Sequence, residues 1–380
     1  MRRCEVAVIG LGLMGAAALD ALLRAGVDAV GFDPLEPGSS RGSSHGSCRV
    51  FRRFNFENPH YTALSDEALY GWDRLAVESG RQLLIPCPIL EAGPPGSETV
   101  RQSRQAALDH GRDTPLLSGA QVNARFPAFA LPDDWDAVVQ DGGAILLTQV
   151  ALEALRARGR AEGRIRTVAV TGLEPGGDHV LVRTAEDSWR AERVILAAGP
   201  WMDRFLPALA PVLTVTRQSV GWFAPTRPKS TALGAFPIFI IERGRDDTVY
   251  GFPDFEGRGV KAAPHNHGPV VDADAWEPPA SDAELAQVSR FLTELIPGAA
   301  GPITERDVCL YTNTRPSAED AGEEFIIDRW PGSRLVVGSA CSGHGAKFAP
   351  AIGERLARLA TDPGFEIEPF FRLSRYPAFA

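Results

Sequence analysis

The hydrophobic pattern at the start of the chain predicts a strand, a helix and a second strand in close succession. Residues 4–9 form a short apolar run with β-branched members, bounded by glycine, which is typical of a strand buried on both faces of a sheet. Residues 16–25 are rich in Ala and Leu and are followed by Gly26, which favours a helix that ends there. A second strand is predicted over residues 29–32. The pattern therefore predicts a β–turn–α–β unit.

Segments with helical and with strand periodicity alternate along the rest of the chain. Helices are predicted at residues 61–79, 98–110, 150–160, 281–295 and 349–360. Strands are predicted at residues 89–91, 166–170, 179–183, 193–197, 218–223, 238–242, 248–252 and 334–338, and a turn leading into a strand is predicted at residues 141–147. The runs near residues 194–199 and 334–338 are apolar and glycine-bounded like the first strand. The strands after residue 214 are instead joined by turns rich in Gly and Pro.

This order of elements predicts an α/β protein whose second domain is of the α+β type. The first domain is a discontinuous Rossmann-like dinucleotide-binding domain of residues 1–84, 140–213 and 318–380. The second is a substrate domain with a mainly antiparallel sheet, formed by residues 85–139 and 214–317.

Composition and charge exclude several classes of protein. Hydrophobic residues make up 44% and charged residues 23% of the 380 residues, as in ordinary globular proteins. The net charge of −9 argues against nucleic acid as a partner, and no apolar run is long enough to predict a membrane span. The 5 cysteines have no metal-ligand spacing, so no metal site and a reducing, cytoplasmic location are predicted.

The turn of the first unit carries the sequence Gly-Leu-Gly-Leu-Met-Gly. Gly10 permits the tight turn, Gly12 lets a pyrophosphate approach the backbone, and Gly15 lets the helix pack on the strand. The helix N-terminus offers N–H groups to the pyrophosphate, and Asp33 can accept hydrogen bonds from a ribose. The backbone of Gly199, at the end of another apolar strand, is expected close to the same ligand. The motif leaves open whether this ligand is NAD or FAD.

Taken alone, the same motif also resembles the opening of NAD(P)-dependent β-hydroxyacid dehydrogenases. That alternative predicts a contiguous N-terminal cofactor domain followed by an all-helical domain. The strand-rich region after residue 214 and the return of strand sequence at residues 334–338 disfavour it.

Motifs late in the chain are more specific than the opening turn. Residues 307–312 read DVCLYT, residues 324–328 read EFIID, and residues 338–348 read GSACSGHGAKF. With the Gly-Phe-Pro of residues 251–253 and with Lys261, this pattern resembles the monomeric sarcosine oxidase and N-methyltryptophan oxidase family. These proteins are FAD-dependent amine oxidases of the D-amino-acid-oxidase-like superfamily, and the resemblance extends over essentially the whole chain.

The resemblance implies FAD as the cofactor and a role for each matching residue. Cys309 matches the cysteine that holds the flavin covalently through its 8α-methyl group, and Lys261 matches the lysine that promotes reaction with oxygen. Arg52 and Lys347 match the pair that binds the substrate carboxylate. Arg49 matches a basic residue close to the flavin. The remaining implied residues are the active-site histidines and tyrosines His265, His344, Tyr250 and Tyr311, and the backbone of Ser342, Gly343 and Gly345 near the flavin.

The residue types by themselves favour simpler interpretations at some of these positions. A lone cysteine such as Cys309 is most often a small buried hydrophobic residue, and Lys261 would be a solvated surface charge. Three features depart from the family: Cys48 replaces a hydroxyl residue, the loop of residues 53–59 is unlike that of a typical sarcosine oxidase, and the segment of residues 243–247 is about one residue longer than its counterpart.

The predicted function is that of an FAD-dependent oxidase of secondary or cyclic amino acids, of the sarcosine, N-methyl amino acid or pipecolate type. The C–N bond would be oxidised to an imine, and O2 would be reduced to hydrogen peroxide. The expected partners are a small amino-acid-like amine and O2, and the expected state is a monomer or a small homo-oligomer. The second alternative is a flavin-binding subunit of an oxidase complex, without turnover of its own.

Overall fold

The computed structural model describes residues 1–37, 39–244, 247–265, 268–275, 277, 279–317 and 322–379. Within these ranges, none of the helices combines the length and the apolar composition needed to cross a membrane.

The described residues form an α/β structure with short 3-10 turns between several elements. The strands are β1 (Arg2–Ile9), β2 (Ala29–Phe32), β3 (Cys48–Phe51), β4 (Leu84–Pro86), β5 (Ile89–Gly93), β6 (Leu117–Ser118), β7 (Asp136–Gln140), β8 (Ala144–Leu147), β9 (Ile165–Arg166), β10 (Val170–Pro175), β11 (Val180–Thr184), β12 (Ser188–Leu196), β13 (Leu213–Phe223), β14 (Ile238–Glu242), β15 (Thr248–Phe252), β16 (Val260–Pro264), β17 (Ile303–Thr314), β18 (Ile326–Arg329) and β19 (Leu335–Ser339). The α-helices are α1 (Leu13–Arg24), α2 (His60–Ser79), α3 (Glu98–Asp109), α4 (Gly119–Arg125), α5 (Thr148–Ala161), α6 (Met202–Phe205), α7 (Pro228–Thr231), α8 (Asp282–Leu295) and α9 (Ala349–Thr361).

The first sheet is built around β1, the strand that the opening apolar run predicts. β1 pairs in parallel with β2 on one side and with β12 on the other, and β12 pairs in parallel with β19. The sheet therefore takes strands from the first, middle and last parts of the chain. The domain bounds themselves stay a prediction, and residue 318, at one of them, lies outside the described residues.

Helix α1 lies against this sheet and begins immediately after the glycine-rich turn. A Cβ atom on Gly15 would lie 1.8 Å from the carbonyl oxygen of Gly10, so only glycine allows the helix to start so close to the turn. The buried face of α1 contacts α9 and α5. This packing fixes the N-terminus of α1 at the edge where β1 and β2 end.

The second sheet has the strand order β17-β13-β16-β15-β14-β5-β7-β6. Its neighbours are antiparallel except for β14 and β5. Helix α8 covers one face through Val288, Phe291 and Leu292, which belong to the same core as Phe223 and Phe239. An eight-stranded sheet contradicts the all-helical second domain that the dehydrogenase alternative predicts, so that alternative is wrong.

The segment of residues 166–170 is not the single strand that its pattern predicts. Its first residue belongs to β9, which pairs with β2, and its last residue begins β10, which pairs with β11 at the other side of the sheet. Residues 167–169 connect the two strands. The periodicity of the sequence does not show that the segment is divided, because both halves have strand-like sequence and only their pairing partners differ.

Candidate active site

A cavity of about 670 Å³ lies where β1, β2 and β12 end, against the N-terminus of α1. It is lined by most of the predicted cofactor-binding residues, namely Gly10, Gly12, Asp33, Gly199, Cys309, Gly343 and Gly345. The other two do not line it. Gly15 packs against Gly10, and the buried Ser342 accepts a hydrogen bond from the backbone of Thr314 through its hydroxyl oxygen.

The N-terminus of α1 is shaped to receive an anion. Gly12 is the N-cap residue and has no side chain to accept the first helical N–H groups, and the N-terminus of a helix favours an anion. The N–H of Leu13 donates to the hydroxyl of Ser44 at 3.0 Å, and a Cβ on Gly12 would lie only 2.8 Å from that oxygen. Ser44 therefore completes the turn, although the sequence indicates only a Ser-rich loop at this position.

The carboxylate of Asp33 is held by three donors at the end of β2. It accepts from the backbone N–H of Leu11 at 2.6 Å and of Leu35 at 2.7 Å, and from Arg156 at 3.1 Å. Burial raises the pKa of Asp33, while these donors counteract the shift. Sequence reasoning missed Arg156, yet it lies four residues after the buried Leu152, which places it on the buried face of α5.

The cavity suits a polar dinucleotide such as FAD. Its volume is in the range of ligand sites in proteins. The lining atoms that are buried and lack a hydrogen-bond partner among the described residues include Oε1 of Gln149, Oγ1 of Thr312 and Oγ of Ser339. Buried polar atoms are normally bonded, so these atoms indicate a polar ligand. The described residues contain no cluster of side chains able to hold a metal ion.

Cys309 and Arg49 meet at the wall of this cavity, although they are 260 residues apart. Nη2 of Arg49 lies 3.2 Å from Sγ of Cys309, and the guanidinium is anchored by the carbonyl oxygens of Cys48 and His45, each at 2.8 Å. Burial alone would raise the pKa of Cys309, but Arg49, with smaller effects of His45 and Lys261, lowers it to about 7. The thiol is therefore readily ionised.

Lys261 is buried in β16, contrary to the surface position that its residue type favours. Nζ donates to the carbonyl oxygen of Cys48 at 3.2 Å and lies 5.5 Å and 5.2 Å from the ring centres of Trp222 and Phe252. Burial lowers the pKa of Lys261. Lys261 is buried because of its place in the strand, where it pairs with Trp222 of β13 and its side chain points inward.

A second, smaller cavity of about 70 Å³ adjoins the first and shares Arg49, Tyr311 and Gly343 with it. It brings together most of the predicted substrate and catalytic residues: Arg49, Arg52, Tyr250, His265, Tyr311, His344 and Lys347. Lys261 is the predicted active-site residue outside this set. These side chains come from β3 and the residue that follows it, from β15 and β17, and from the turns after β16 and β19. Only the folded sheets therefore place them side by side.

Lysine is rare in this chain, and the distribution of the three lysines follows the site. Lys229 is exposed, whereas Lys261 and Lys347 are buried. The other 36 of the 39 basic residues are arginine. A compact ammonium whose pKa can be lowered differs chemically from a guanidinium, so the two buried lysines are chemically distinct from the arginines of the site.

Two glutamates bind Arg52, one of the residues predicted to bind a substrate carboxylate. Nη1 of Arg52 donates to Glu91 at 2.9 Å, and Nη2 donates to Glu57 at 2.5 Å. Burial would raise the pKa of Glu57, but Arg52, Lys347 and His344 hold it well below its usual range. Sequence reasoning did not single out either glutamate, although Glu57 belongs to the loop noted as unusual.

The side chains next to this ion cluster are mostly neutral. Burial lowers the pKa of Lys347 to about 7 and that of His344 to about 3, and it raises the pKa of Tyr250 and Tyr311. Nζ of Lys347 donates to the carbonyl oxygen of His344 at 2.9 Å, and the two tyrosines are hydrogen-bonded to each other. The ring of His265 lies 6.2 Å from Tyr250 and 6.3 Å from Tyr311.

Comparisons with known proteins give one family over nearly the whole chain. The family model described as FAD dependent oxidoreductase matches residues 5–359. A monomeric sarcosine oxidase of Arthrobacter sp. (strain TE1826) is 30% identical, with 94% of this chain and 92% of that protein covered. An N-methyl-L-tryptophan oxidase of Yersinia pestis (strain Pestoides F) is 30% identical, with 98% and 99% covered.

Solved structures with the same fold include two amino-acid-metabolising enzymes. NikD, an unusual amino acid oxidase essential for nikkomycin biosynthesis, has a TM-score of 0.83 at 21% identity, with 98% of each chain covered. The L-proline dehydrogenase from P. horikoshii has a TM-score of 0.79 at 18% identity, with 98% of this chain and 97% of that chain covered.

The contacts of Asp33 predict that the variant Asp33→Asn loses both stability and FAD content. It leaves the buried Arg156 without its charged acceptor, and hydrogen bonds to charged groups contribute about 1.5–3 kcal/mol. Urea unfolding and the ratio of flavin to protein absorbance measure the two effects. Asp28→Asn is the control, because Asp28 is a half-exposed partner of Arg164 just before β2. Equal losses in both variants would contradict the role of Asp33.

Proposed function

The chain belongs to the FAD-dependent oxidoreductase family, and we propose that it is an oxidase of secondary or cyclic amino acids. Family membership confirms the predicted enzyme class and the predicted FAD cofactor. The observation that carries the proposal is the meeting of Arg52 and Lys347 at one small cavity beside the larger one. A cationic pair at that place suits a substrate that bears a carboxylate next to its amine.

Glu57 supports this assignment, because it is an internal carboxylate at the proposed position. Its two oxygens accept from Nη2 of Arg52, and Oε1 lies 3.8 Å from Nδ1 of His344. The surroundings that keep Glu57 ionised would stabilise a substrate carboxylate in the same way. Arg52 and Lys347 would therefore bind the acid group and orient the amine toward the larger cavity.

The side chains around the small cavity favour a substrate amine that arrives unprotonated. Lys261 and Arg49 bring positive charge to this region, which disfavours an ammonium group. His344 and the two tyrosines are neutral, and none is an ionised base at neutral pH. Bound FAD would supply the redox chemistry, in which the C–N bond becomes an imine and O2 becomes hydrogen peroxide. Water then hydrolyses the released imine.

A peroxide-release screen tests the function directly. The substrates are sarcosine, N-methyl aromatic amino acids, pipecolate and proline, each compared with its amide. We expect peroxide from at least one acid and little from its amide. Absence of peroxide from every acid, with FAD bound, would favour the flavin-binding subunit instead.

A cytoplasmic location also belongs to this proposal, and the five free cysteines support it.

The proposed function first predicts that the flavin is attached covalently through Cys309. The thiol faces the cofactor cavity, and its lowered pKa makes it a good nucleophile. We expect yellow colour to remain in the pellet when the enzyme is precipitated with acid. In Cys309→Ala the colour should be extractable, whereas Cys341→Ala, at the wall of the same cavity, should retain it. Complete release from the native protein would contradict the attachment.

Removal of either carboxylate-binding cation should lower activity toward the acid substrates. Loss of one partner of a buried ion pair costs about 2–5 kcal/mol, so Arg52→Ala or Lys347→Met should reduce kcat/KM roughly 30-fold or more. Lys229→Met, a change of the exposed lysine, is the control and should have no effect. An amide that reacts as well as its acid on the native enzyme would contradict this assignment.

The pKa of Lys347 adds a pH dependence with a defined sign. Because burial lowers this pKa to about 7, the ammonium form is lost as the pH rises through that value. Binding of methylthioacetate, a carboxylate in which sulfur replaces the amine, should therefore weaken above neutral pH. In Lys347→Met the binding should be weak throughout and should lose this dependence, as flavin absorbance titrations at several pH values would measure.

The buried charge of Lys261 should assist the reaction with oxygen. Negative charge that develops on oxygen near Nζ is stabilised electrostatically, and loss of one such group typically costs about 10²–10³-fold in rate. In Lys261→Met, flavin reduction by substrate without oxygen should be nearly unchanged, while reoxidation by oxygen slows by that factor. Stopped-flow absorbance separates the two half-reactions, with Lys229→Met as control. Reoxidation within about twofold of the native rate would remove Lys261 from this role.

A further inference from the structure

The guanidinium of Arg52 is held unequally on its two sides. Nη1 donates to Glu91, Nη2 donates to Glu57, and Nε has no hydrogen-bond partner among the described residues. Glu57 lines the small cavity, whereas Glu91 does not. The Nη1 side of the guanidinium is therefore bonded to the protein interior, whereas Nη2 is bonded to a residue that lines the cavity.

Glu91 is fixed in the second sheet and is completely buried. It lies in β5, where its backbone pairs with Ile240 of β14 and with Val138 of β7. A residue in the middle of a paired strand cannot withdraw when a ligand enters. Glu57 differs in this respect, since it belongs to the loop between β3 and α2.

A chain of hydrogen bonds supports Glu91 through Gln140, and its donors and acceptors are fixed. The N–H of Phe54 donates to Oε1 of Gln140 at 3.2 Å, and Nε2 of Gln140 donates to the carbonyl oxygen of Phe54 at 3.2 Å. The same Nε2 donates to Oε2 of Glu91 at 2.7 Å. Because both backbone groups of Phe54 are engaged, the amide of Gln140 cannot flip without losing two bonds.

Glu91 thus accepts from Gln140 on one oxygen and from Arg52 on the other. An ionised carboxylate accepts on both oxygens, whereas a glutamine would place its NH2 group against one of the donors. Burial raises the pKa of Glu91, and Arg52, Ser103 and Gln140 act in the opposite direction by favouring the ionised form. The surroundings are therefore matched to a carboxylate at this position.

We propose that Glu91 is a positioning residue, which fixes the Nη1 side of Arg52 and leaves the Nε–Nη2 edge to receive the substrate carboxylate. This inference rests on the proposed function, in which Arg52 binds that group. Arginine binds carboxylates through two parallel N–H donors, so holding one side selects which pair is presented. Glu91 itself does not touch the substrate.

The test compares the binding of methylthioacetate and of its amide to the holoenzyme, by flavin absorbance titration. In the native enzyme the acid should bind more tightly than the amide. In E91Q the acid should bind about 10- to 100-fold more weakly, the range expected for a lost hydrogen bond to a charged group, while amide binding stays nearly constant. With an oxidisable acid, the loss should appear mainly in KM.

Two further variants separate positioning from general damage to the core. Q140L keeps the charge of Glu91 and removes its support, so it should lose part of the acid preference, and it carries the test where E91Q does not fold. E324Q is the matched control, because Glu324 is also buried and accepts from Tyr61 at 2.8 Å and from Asn58 at 3.2 Å. It should keep the acid preference whatever its effect on thermal stability.

The outcomes distinguish this inference from the proposed function. If Glu91 acted only as a negative charge, its removal would tighten acid binding, and that result would overturn the inference. An acid preference unchanged in folded E91Q, or in folded Q140L, would overturn it as well. A native enzyme with no preference for the acid would instead overturn the assignment of Arg52, and this inference with it.

Discussion

Burial of positive charge beside one pair of cavities is the constraint on which the site depends. Arg52, Lys261 and Lys347 are buried and Arg49 is partly buried at the wall of both cavities, and an unpaired charge is costly in such places. The structure offsets this cost in three ways. Arg52 has two carboxylates, Arg49 has backbone carbonyls and a thiol, and the lysines respond with lowered pKa values. Each of these arrangements also affects the chemistry of the site.

The environment of Arg49 shows how compensation and chemistry coincide. Its charge is spread over carbonyl oxygens that hold it in place, so it can lower the pKa of Cys309 without moving. The same arrangement keeps positive charge near the larger cavity. The charged side chains that line the smaller cavity are those of Arg49, Arg52, Lys347 and Glu57. His344 and the two tyrosines line it as neutral groups. Such a surface discriminates by charge more than by volume.

The second sheet contributes rigidity as well as residues. Lys261, Glu91 and Tyr250 lie in strands of this sheet that are paired on both sides, and Tyr311 lies in the edge strand β17, which pairs with β13. Sites built on strands hold their side chains more accurately than sites built on loops. Glu57 is the exception, and its loop position suits a group that shares its place with a ligand.

The sequence by itself determined the β–turn–α–β unit, its glycines, Asp33 and the family motifs near Cys309 and Lys347. These features are local, because a turn, a helix start or a strand requires particular residues within a few positions. Tertiary structure decided that Lys261 is buried, that Arg156 supports Asp33, and that Glu91 and Glu57 both hold Arg52. Tertiary structure also decided that residues 167–169 join two strands on opposite sides of a sheet. Each depends on which strand lies beside which, and periodicity along the chain carries no information about partners that are hundreds of residues away.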